Sequence, residues 1–558
     1  MLQGNRQNQQ QPRDGAQHWR SASNATAAWL VLLAAIVVQA IAFDPDLNFY
    51  DEGIILVGAE RVWRGELPYK DFWTMYGPAQ FYLTSWLFSV FGPADLAVRA
   101  IGIAAKAAIA SLAFLAVARQ APRSWALAAS SIVLVLLIAV RNDAFPVFPA
   151  LAFALAAMLL VDRGGWRRGM GNVFLAGVCT GCVTAFRHDL GAYSALGIGL
   201  GIALAQQVRD GQAAPARSGA ARQLLVFALG VLAVVAPVTV WLLQVVPLAD
   251  LNESLIHSPS AIYPAFRALP FPGPAEFPRT GRDIENIGLF VVYLPFLVVA
   301  WAAAIEFMRL RGGPPSTTQR RDQGALVPVL VITCLLFTVK GLVRVSAVHM
   351  VQALVLAVVL LAICSARFDW RLPGSRLLLA PVVLVAGFLL AQPLVVGLRH
   401  VARGMEHMAG AKDSFIRQCI DPPLPRLRCV NSDPDYLLAA RFVMEHSNSG
   451  DPIYVGTGRH DKLFISGLAF YFMAERRPAT KWYELHPGIQ TREDVQRQMI
   501  RQMQETPPKL VVLDSRWDDM QEPNDSRRPS GARLLDDHLR AGFAEVQRYG
   551  SVRILAPR

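Results

Sequence analysis

The chain has 558 residues, of which 53% are apolar and only 17% charged, whereas soluble globular proteins are about 45–50% apolar and about 25% charged. Its 54 basic and 42 acidic residues give a net charge of +12, but no basic stripe interleaved with aromatic residues accompanies this excess, so nucleic-acid binding is not expected. The composition excludes a soluble enzyme, a disordered chain and a collagen-like chain.

Charged residues are unevenly distributed along the chain. Residues 1–397 contain 51 of them, about 13%, whereas residues 398–558 contain 45, about 28%. An apolar segment of about 20 residues can cross the hydrocarbon core of a bilayer as a helix. The sequence therefore predicts three parts: a cytoplasmic tail at 1–26, a transmembrane domain at 27–397 with an outer loop at 44–94, and an extracytoplasmic domain at 398–558.

Eleven apolar segments predict eleven transmembrane helices. They lie near residues 27–43, 95–118, 124–140, 146–161, 171–186, 190–207, 223–246, 287–308, 325–339, 347–365 and 377–397. Ala79–Phe91 is also apolar but, with about 13 residues, too short to cross comfortably. We interpret it as an amphipathic helix at the outer interface.

Basic residues collect in alternate loops, which is typical of loops that stay in the cytoplasm. With a cytoplasmic N-terminus, these segments contain 18 basic residues against five acidic ones. The basic residues are Arg6, Arg13, Arg20, Arg119, Arg123, Arg163, Arg167, Arg168, Arg209, Arg217, Arg222, Arg309, Arg311, Arg320, Arg321, Arg367, Arg371 and Arg376. An odd number of spans then places the C-terminal domain in the periplasm. A cleaved signal peptide ending near Ala42 is the alternative, but the basic tail and the later loops favour an uncleaved span.

The C-terminal domain has patterns typical of both strands and helices. Short buried strands are expected at Pro452–Val455, Leu510–Leu513 and Val552–Leu555, and helices at Asp435–Glu445, Thr491–Gln504 and Leu534–Ala541. A small α/β domain follows. Cys419 and Cys429 could form a disulfide in an oxidising compartment, with two free thiols as the alternative. The other four cysteines lie in spans and are interpreted as small apolar residues.

The first outer loop opens with four carboxylates within nine residues, directly after a span: Asp44, Asp46, Asp51 and Glu52. Carboxylates at the boundary between water and lipid can take a proton from an acceptor or hold a divalent cation against a lipid-linked phosphate. Acidic residues are also simply common in outer loops.

The motifs of this loop resemble those of a known group of enzymes. An Asp-Glu pair follows the first span, and Gly-Glu-Leu-Pro-Tyr-Lys-Asp-Phe and Tyr-Gly-Pro precede the short apolar helix. This pattern is similar to the integral-membrane glycosyltransferases of the GT-C superfamily, in particular to bacterial relatives of the protein O-mannosyltransferases and the lipid A aminoarabinose transferases. The resemblance implies an α-helical multi-pass GT-C fold that transfers a sugar from a polyprenyl-phosphate carrier outside the membrane. The chain lacks the Lys-Pro-Pro run of some relatives and has Met75-Tyr76-Gly77-Pro78 instead, which leaves the acceptor open.

The resemblance also implies roles for particular residues. Asp51 matches the catalytic base, and Glu52 matches the second, supporting member of the motif. Asp71 and Tyr76 match a second outer patch that contacts substrate. The alternatives are that Asp51 caps a helix over Gly53–Arg64 and that Asp71 caps a turn or pairs with Lys70.

A donor phosphate requires cations on the outer side, and a few basic residues depart from the positive-inside pattern to lie there. Arginine suits this role because its planar guanidinium can grip phosphate. The candidates are Arg141, Arg187, His188, Lys340, Arg344 and His349. Pairing of Arg187 with Asp189, snorkelling of Lys340 and Arg344, and a satisfied helical His349 are the alternatives.

Three polar residues of the second span, Asp95, Arg99 and Lys106, follow one helical face. They predict either a polar stripe into the catalytic cavity or buried ion pairs that fix helix packing. No metal motif of His and Cys is present. A divalent cation such as Mg²⁺ or Mn²⁺ held by carboxylates stays open.

We therefore expect a glycosyltransferase in the bacterial inner membrane, whose partners are a polyprenyl-phosphate-linked sugar and a lipid, glycan or protein acceptor. A flippase of lipid-linked sugars would also need outer cations, but the paired half-repeats typical of many transporters are not apparent. A polymerase or ligase of surface polysaccharide is the third alternative. It would usually depend on outer Arg and His residues rather than on an acid of the first loop.

Overall fold

The structure, a computed structural model, describes residues 11–141, 143–163, 169–210, 217–277, 281–311, 325–367, 375–410 and 419–558. Some of the expected cytoplasmic basic residues lie outside the described residues: Arg6, Arg167, Arg168, Arg320, Arg321 and Arg371.

Every expected span corresponds to an apolar helix. These helices are α1 (Gln11–Ile41), α4 (Leu96–Ala118), α5 (Arg123–Val140), α6 (Val147–Arg163), α7 (Met170–Phe186), α8 (His188–Asp210), α9 (Arg217–Val245), α12 (Leu294–Arg311), α13 (Leu326–Gly341), α14 (Val351–Arg367) and α15 (Ser375–Gly410). A 3₁₀ segment, Gly281–Tyr293, leads into α12. Among the described residues, six helices are long and apolar enough to cross a membrane by length and composition, and four more are apolar but shorter. The last helix continues well past residue 397, the expected boundary of the domain.

Small residues let helices of the transmembrane domain approach closely. A Cβ atom on Gly177 of α7 would lie 2.1 Å from the carbonyl oxygen of Phe227 in α9, and one on Gly230 of α9 would lie 2.2 Å from that of Phe174. A side chain at either position would therefore push the two helices apart. Contacts of this kind are typical of membrane helices, which associate through packing rather than through the hydrophobic effect.

The first outer loop forms two helices, α2 (Asp51–Trp63) and α3 (Ala79–Phe91). The second coincides with the helix expected at the interface. It buries Phe81 and Phe88 and exposes Trp86 and Phe91. Beyond α9 the chain forms α10 (Leu248–Asn252), a π-helical segment Glu253–Ile262 that carries the exposed His257, and α11 (Tyr263–Arg267).

The C-terminal domain is α/β, as expected. Its sheet has the order β2-β1-β3-β5-β4, in which β1 pairs in parallel with β2 and β3, and β5 runs antiparallel to β3 and β4. The strands are β1 (Pro452–Thr457), β2 (Arg477–Pro478), β3 (Leu510–Asp514), β4 (Phe543–Tyr549) and β5 (Val552–Pro557), and the helices are α16 (Pro434–Glu445), α17 (Ala469–Met473), α18 (Glu493–Glu505) and α19 (Leu534–Gly542). The three expected strands and three expected helices are confirmed. The sequence reasoning missed β2, β4 and α17.

The C-terminal domain packs directly onto the first outer loop. One apolar cluster includes Ile54 and Ile55 of α2, Phe88 of α3, and Phe470 and Phe472 of α17. A Cβ atom on Gly53 would lie 2.4 Å from the backbone nitrogen of Ala469, so only glycine permits this approach. The helix that begins with Asp51 is therefore held between the two domains.

A disulfide joins Cys419 to Cys429, which confirms the first of the two alternatives for these cysteines. The loop that it closes contains Arg426, whose buried guanidinium is 2.8 Å from the carboxylate of Glu60 in α2. The backbone nitrogen of Arg428 donates a hydrogen bond to Asp95 at the start of α4. The disulfide-closed loop thus connects the C-terminal domain to both the outer loop and the transmembrane domain.

Candidate active site

Asp51 is the first residue of α2. The preceding turn is fixed by Asn48, whose side-chain oxygen accepts hydrogen bonds from the backbone nitrogens of Tyr50 and Asp51. The amide nitrogen of Asn48 donates to the Asp51 carboxylate over 3.2 Å. A carboxylate at a helix N-terminus is stabilised by the helix dipole. The local sequence therefore holds Asp51 as an oriented anion at the end of a rigid element.

Glu52 points into the protein and is 4% exposed. Its two carboxylate oxygens each lie 2.9 Å from a nitrogen of Arg99, which is also buried. The backbone nitrogen of Asn48 donates a further hydrogen bond to Glu52. Glu52 therefore joins the outer loop to α4, which suits the supporting role expected of it.

The C-terminal domain brings residues 482–486 alongside the start of α2. The hydroxyl of Tyr483 donates a hydrogen bond to the carbonyl of Ile54, and the hydroxyl of Tyr50 lies 3.5 Å from the carbonyl oxygen of Leu485. Glu484 lies between these contacts and is 1% exposed. One of its carboxylate oxygens has no hydrogen-bond partner within the described part of the chain.

Glu484 belongs to the same electrostatic environment as Asp51. Burial and, after it, the charge of Asp51 raise the pKa of Glu484 to about 8, although Arg267 acts in the opposite direction. Glu484 is therefore mostly neutral at pH 7, whereas a carboxyl group in water would be ionised. A neutral carboxyl group can donate a hydrogen bond, which an ionised one cannot. The site therefore combines the Asp51 carboxylate, which can accept a proton, with the Glu484 carboxyl group, which can donate a hydrogen bond.

The first pair of outer cations lies around Asp189. Arg187 binds its carboxylate with two hydrogen bonds of 3.0 and 2.7 Å, and the amine of Lys340 lies 3.7 Å from it. The guanidinium of Arg187 also lies over the rings of Tyr76 and Phe145, 5.3 and 5.6 Å from their centroids. Two cations sharing one carboxylate leave a local positive charge.

The Tyr-Gly-Pro motif explains how Tyr76 reaches Arg187. The backbone nitrogen of Gly77 donates a hydrogen bond to the carbonyl of Phe186, the last residue of α7. A Cβ atom at position 77 would lie 2.2 Å from the carbonyl oxygen of Ala185, so a glycine is required there. The hydroxyl of Tyr69 donates a second hydrogen bond to the carbonyl of Tyr76. The first outer loop is in this way fastened to the end of α7.

The second pair of cations is Arg344 and Arg267, which share Glu522 of the C-terminal domain. Arg344 donates to one Glu522 oxygen over 2.9 Å and makes a second, shorter contact to the other. Arg267 lies 3.6 Å from the same carboxylate. All three side chains are largely buried.

Both cation pairs act on one histidine. His349, just before α14, is partly buried, and the charges of Arg344, Lys340, Arg267 and Arg187 all act on it. Asp51 also acts electrostatically on Tyr76, Tyr263 and Arg344. Tyr263 is thus a shared neighbour of Asp51, at the start of α2, and of three cations, Arg344, Arg267 and Arg187.

Other candidate residues lie apart from these cations. Asp71 accepts a hydrogen bond from the backbone nitrogen of Leu67 and stabilises the turn between α2 and α3, one of the alternatives considered for it. Arg141 pairs with Asp44 at 2.9 Å and lies 3.2 Å from His400. His188 is the first residue of α8, and its Nδ1 is buried with no hydrogen-bond partner among the described residues.

Lys106 and Arg99 form buried ion pairs. Lys106 contacts Asp143 at 2.7 Å, and its amine donates a hydrogen bond to the carbonyl of Arg141. Arg99 pairs with Glu52. These contacts favour helix packing over a polar stripe into the cavity. As for metals, the described residues contain no group of three or more His, Cys, Asp or Glu side chains placed to hold an ion.

The sequence reasoning missed Arg267, Tyr263, Glu484 and Glu522. Arg267 lies between Pro-rich segments on the outer side, and an outer arginine beside membrane spans was a usable signal. Glu484 and Glu522 lie in a charged domain with many acidic residues, and their local sequence does not distinguish them. Glu484 and Glu522 reach the site only because the C-terminal domain packs against the rest of the chain.

Comparisons with known proteins complete the description of the site. No family model and no curated protein sequence matches the chain. Solved structures do match it. The chain is similar to ArnT from Cupriavidus metallidurans bound to undecaprenyl phosphate, with 13% identity and a TM-score of 0.51 over 95% of this chain and 97% of that one. The apo state of the same protein gives 13% identity and a TM-score of 0.52 over 95% and 98%.

An oligosaccharyltransferase from Archaeoglobus fulgidus, in complex with Zn and sulfate, aligns over 87% of this chain and 68% of that one, with 12% identity and a TM-score of 0.48. At such low identities the likeness concerns the fold. Together with the apolar helices and the C-terminal α/β domain of the described residues, the two ArnT structures show that this chain shares the fold of ArnT.

Proposed function

We propose that the protein is a glycosyltransferase that moves a sugar from a polyprenyl-phosphate carrier to a lipid, glycan or protein acceptor on the outer face of the bacterial inner membrane. The observation that carries this proposal is the grouping of a carboxylate with cations: Asp51 acts on Arg344, and Asp51 and Arg187 both act on Tyr76. The chain also shares its fold with a protein crystallised with undecaprenyl phosphate. This arrangement supplies both a base and a site for a phosphate.

The reaction that fits these groups is a displacement at the anomeric carbon of the sugar. A bond forms between an acceptor oxygen or nitrogen and the anomeric carbon, while the bond from that carbon to the phosphate oxygen breaks. The electron pair of the broken bond remains on the polyprenyl phosphate. Asp51 takes the proton of the acceptor. General-base assistance of this kind is worth about 10²–10⁴ in rate.

The cations stabilise the leaving group, whose phosphate gains negative charge as the bond breaks. Arg187 and Lys340 carry an excess positive charge because, within the described ranges, both are paired with the single carboxylate of Asp189. Preorganised cations aimed at developing charge lower the barrier because they need no rearrangement during the reaction. The supporting observation is that Tyr76 of the outer loop lies against the guanidinium of Arg187, whose side chain is only 15% exposed.

The test compares Asp51→Asn with a matched control from the same loop. Asp46→Asn makes the same change of charge at an exposed position. Each variant replaces the wild-type gene, and lipids and surface glycans are analysed by mass spectrometry for a single sugar that disappears when the gene is deleted. We expect the sugar to be absent with Asp51→Asn and present with Asp46→Asn.

A second measurement uses purified protein and binding of undecaprenyl phosphate. Asp51→Asn should bind it normally, because a base acts on the acceptor and not on the carrier. Arg187→Ala should bind it about tenfold or more weakly, since a lost hydrogen bond to a charged group costs about 1.5–3 kcal/mol. Normal transfer of the sugar by Asp51→Asn would refute the catalytic assignment and favour a transporter.

A further inference from the structure

The two cations at the C-terminal domain differ from those around Asp189 in the origin of their counter-ion. Asp189 is two residues from Arg187 on the same part of the transmembrane domain, whereas Glu522 reaches Arg344 and Arg267 from a loop of the C-terminal domain. That loop, residues 515–524, connects β3 to the short 3₁₀ helix Asp525–Arg527. Glu522 thus reaches these two arginines from a connecting loop rather than from a helix.

The contact between Glu522 and Arg344 has the geometry of an anion-binding site. Two nitrogens of one guanidinium meet the two oxygens of the carboxylate, and Arg267 and Asn524 approach the same group at 3.6 and 3.0 Å. A phosphate presents oxygens to an arginine in the same way. The side chains concerned are about 9–12% exposed, so little water competes for these bonds.

The charges in this region do not allow the Glu522 carboxylate and a carrier phosphate to bind the same arginines together. Arg344 and Arg267 carry two positive charges, and Glu522 neutralises one of them. A carrier phosphate that contacts Arg344 would lie against the Glu522 carboxylate, and two like charges at such a distance in a buried site repel strongly. Either the carboxylate or the phosphate must leave these arginines. The proposed reaction requires the lipid-anchored phosphate, so the Glu522 carboxylate is the group that leaves.

We propose that Glu522 occupies the place of the carrier phosphate in the empty protein, and that a polyprenyl phosphate displaces it from Arg344 and Arg267. This inference rests on the proposed function and adds to it a role for the C-terminal domain. Displacement removes the contacts of Glu522 with Arg344 and Arg267 and leaves the loop at 515–524 tied to this part of the chain through the hydrogen bond from Asn524 to the carbonyl of Ala268. The loop is therefore held less tightly in the loaded protein than in the empty one.

The first experiment measures the affinity of the purified full-length protein for undecaprenyl phosphate. Glu522→Gln removes the competing charge but keeps the shape, and Glu545→Gln, at an exposed ion pair on β4, is the matched control. We expect about tenfold tighter binding by Glu522→Gln, as for the loss of one charge-assisted hydrogen bond, and no change in the control. Unchanged or weaker binding by Glu522→Gln would show that this residue holds the arginines in place, and would overturn the proposal.

The second experiment uses the wild-type protein, so it does not depend on how a variant folds. Arg516, in the loop, offers a site for trypsin. We expect undecaprenyl phosphate to accelerate cleavage after Arg516, whereas inorganic phosphate at the same concentration should have a much smaller effect because it lacks the lipid anchor. No acceleration, or protection of Arg516, would contradict the exchange.

The outcomes separate this inference from the proposed function. If the wild type binds undecaprenyl phosphate and Arg187→Ala weakens binding, the carrier site stands whatever Glu522→Gln does. If Glu522→Gln then behaves as the control does, only the exchange is refuted. If the wild type does not bind undecaprenyl phosphate, both fail.

Discussion

Glu484 offers a direct test of how the C-terminal domain meets the outer loop. Its side chain is 1% exposed, and burial together with Asp51 raises its pKa to about 8, from 4.5 in water. The folded protein therefore keeps a proton on Glu484 at neutral pH that the unfolded chain releases. A raised pKa stabilises the fold fully below the unfolded pKa, and this contribution is lost as the pH rises toward the folded pKa.

The expected size follows from the width of that pH window. Each pH unit between the two pKa values corresponds to about 1.36 kcal/mol, and from pH 6 to pH 8 the loss from this one group is about 2 kcal/mol once partial ionisation near pH 8 is included. Glu484→Gln is neutral at every pH and removes this dependence. The variant should thus become more stable relative to the wild type as the pH rises, because only the wild type loses this contribution to its free energy of unfolding.

The assay is thermal unfolding in detergent at pH 6, 7 and 8. A difference of about 2 kcal/mol corresponds to a shift of several degrees in Tm. Glu545→Gln is the control, because the Arg548 side chain lowers the pKa of Glu545 and keeps it ionised over this whole range. Parallel Tm curves for the wild type and Glu484→Gln would refute the placement of Glu484 against Asp51.

Three further predictions concern the supporting structure. Glu52→Gln removes the carboxylate that contacts the buried Arg99 and should cost about 3–5 kcal/mol, seen as a lower Tm, whereas Asp51→Asn should leave Tm nearly unchanged; equal Tm values would argue against the division of roles. Cys419→Ser should lower stability by about 2–3 kcal/mol, and dithiothreitol should lower the Tm of the wild type but not of the variant. A phosphatase reporter fused after Arg558 should be active and one after Arg311 inactive, and the opposite pattern would overturn the orientation.

Hydropathy was sufficient to predict the transmembrane domain, for a physical reason. Lipid leaves no partners for backbone groups, so each long apolar segment has little choice but to form a helix. The helix at Ala79–Phe91 was predictable for the same reason, and its shortness distinguished it from a span. The end of the last span was not predictable in this way, because α15 continues through a polar region to Gly410. There the helix is no longer limited by the thickness of a membrane.

The candidate site was predictable only where it is local in sequence. Asp51 and Tyr76 lie in one loop with recognisable motifs. Arg187 and Asp189 are two residues apart, and their pairing was considered from the sequence. Glu484 is 433 positions from Asp51, and nothing in its neighbourhood marks it among the other acids of the domain. Its position depends on the packing of α2 against the C-terminal domain, which involves apolar surfaces that a single sequence does not match to each other.

The burial of α2 between the two domains has a consequence for how such a protein can change. The start of this helix carries the proposed base, but residues from the C-terminal domain, Tyr483 and Glu484 among them, form the surface opposite it. Substitutions in that domain can therefore reshape the space in front of Asp51 while the base and the cations stay as they are. Selection for a new acceptor could act on the C-terminal domain and leave the handling of the donor intact.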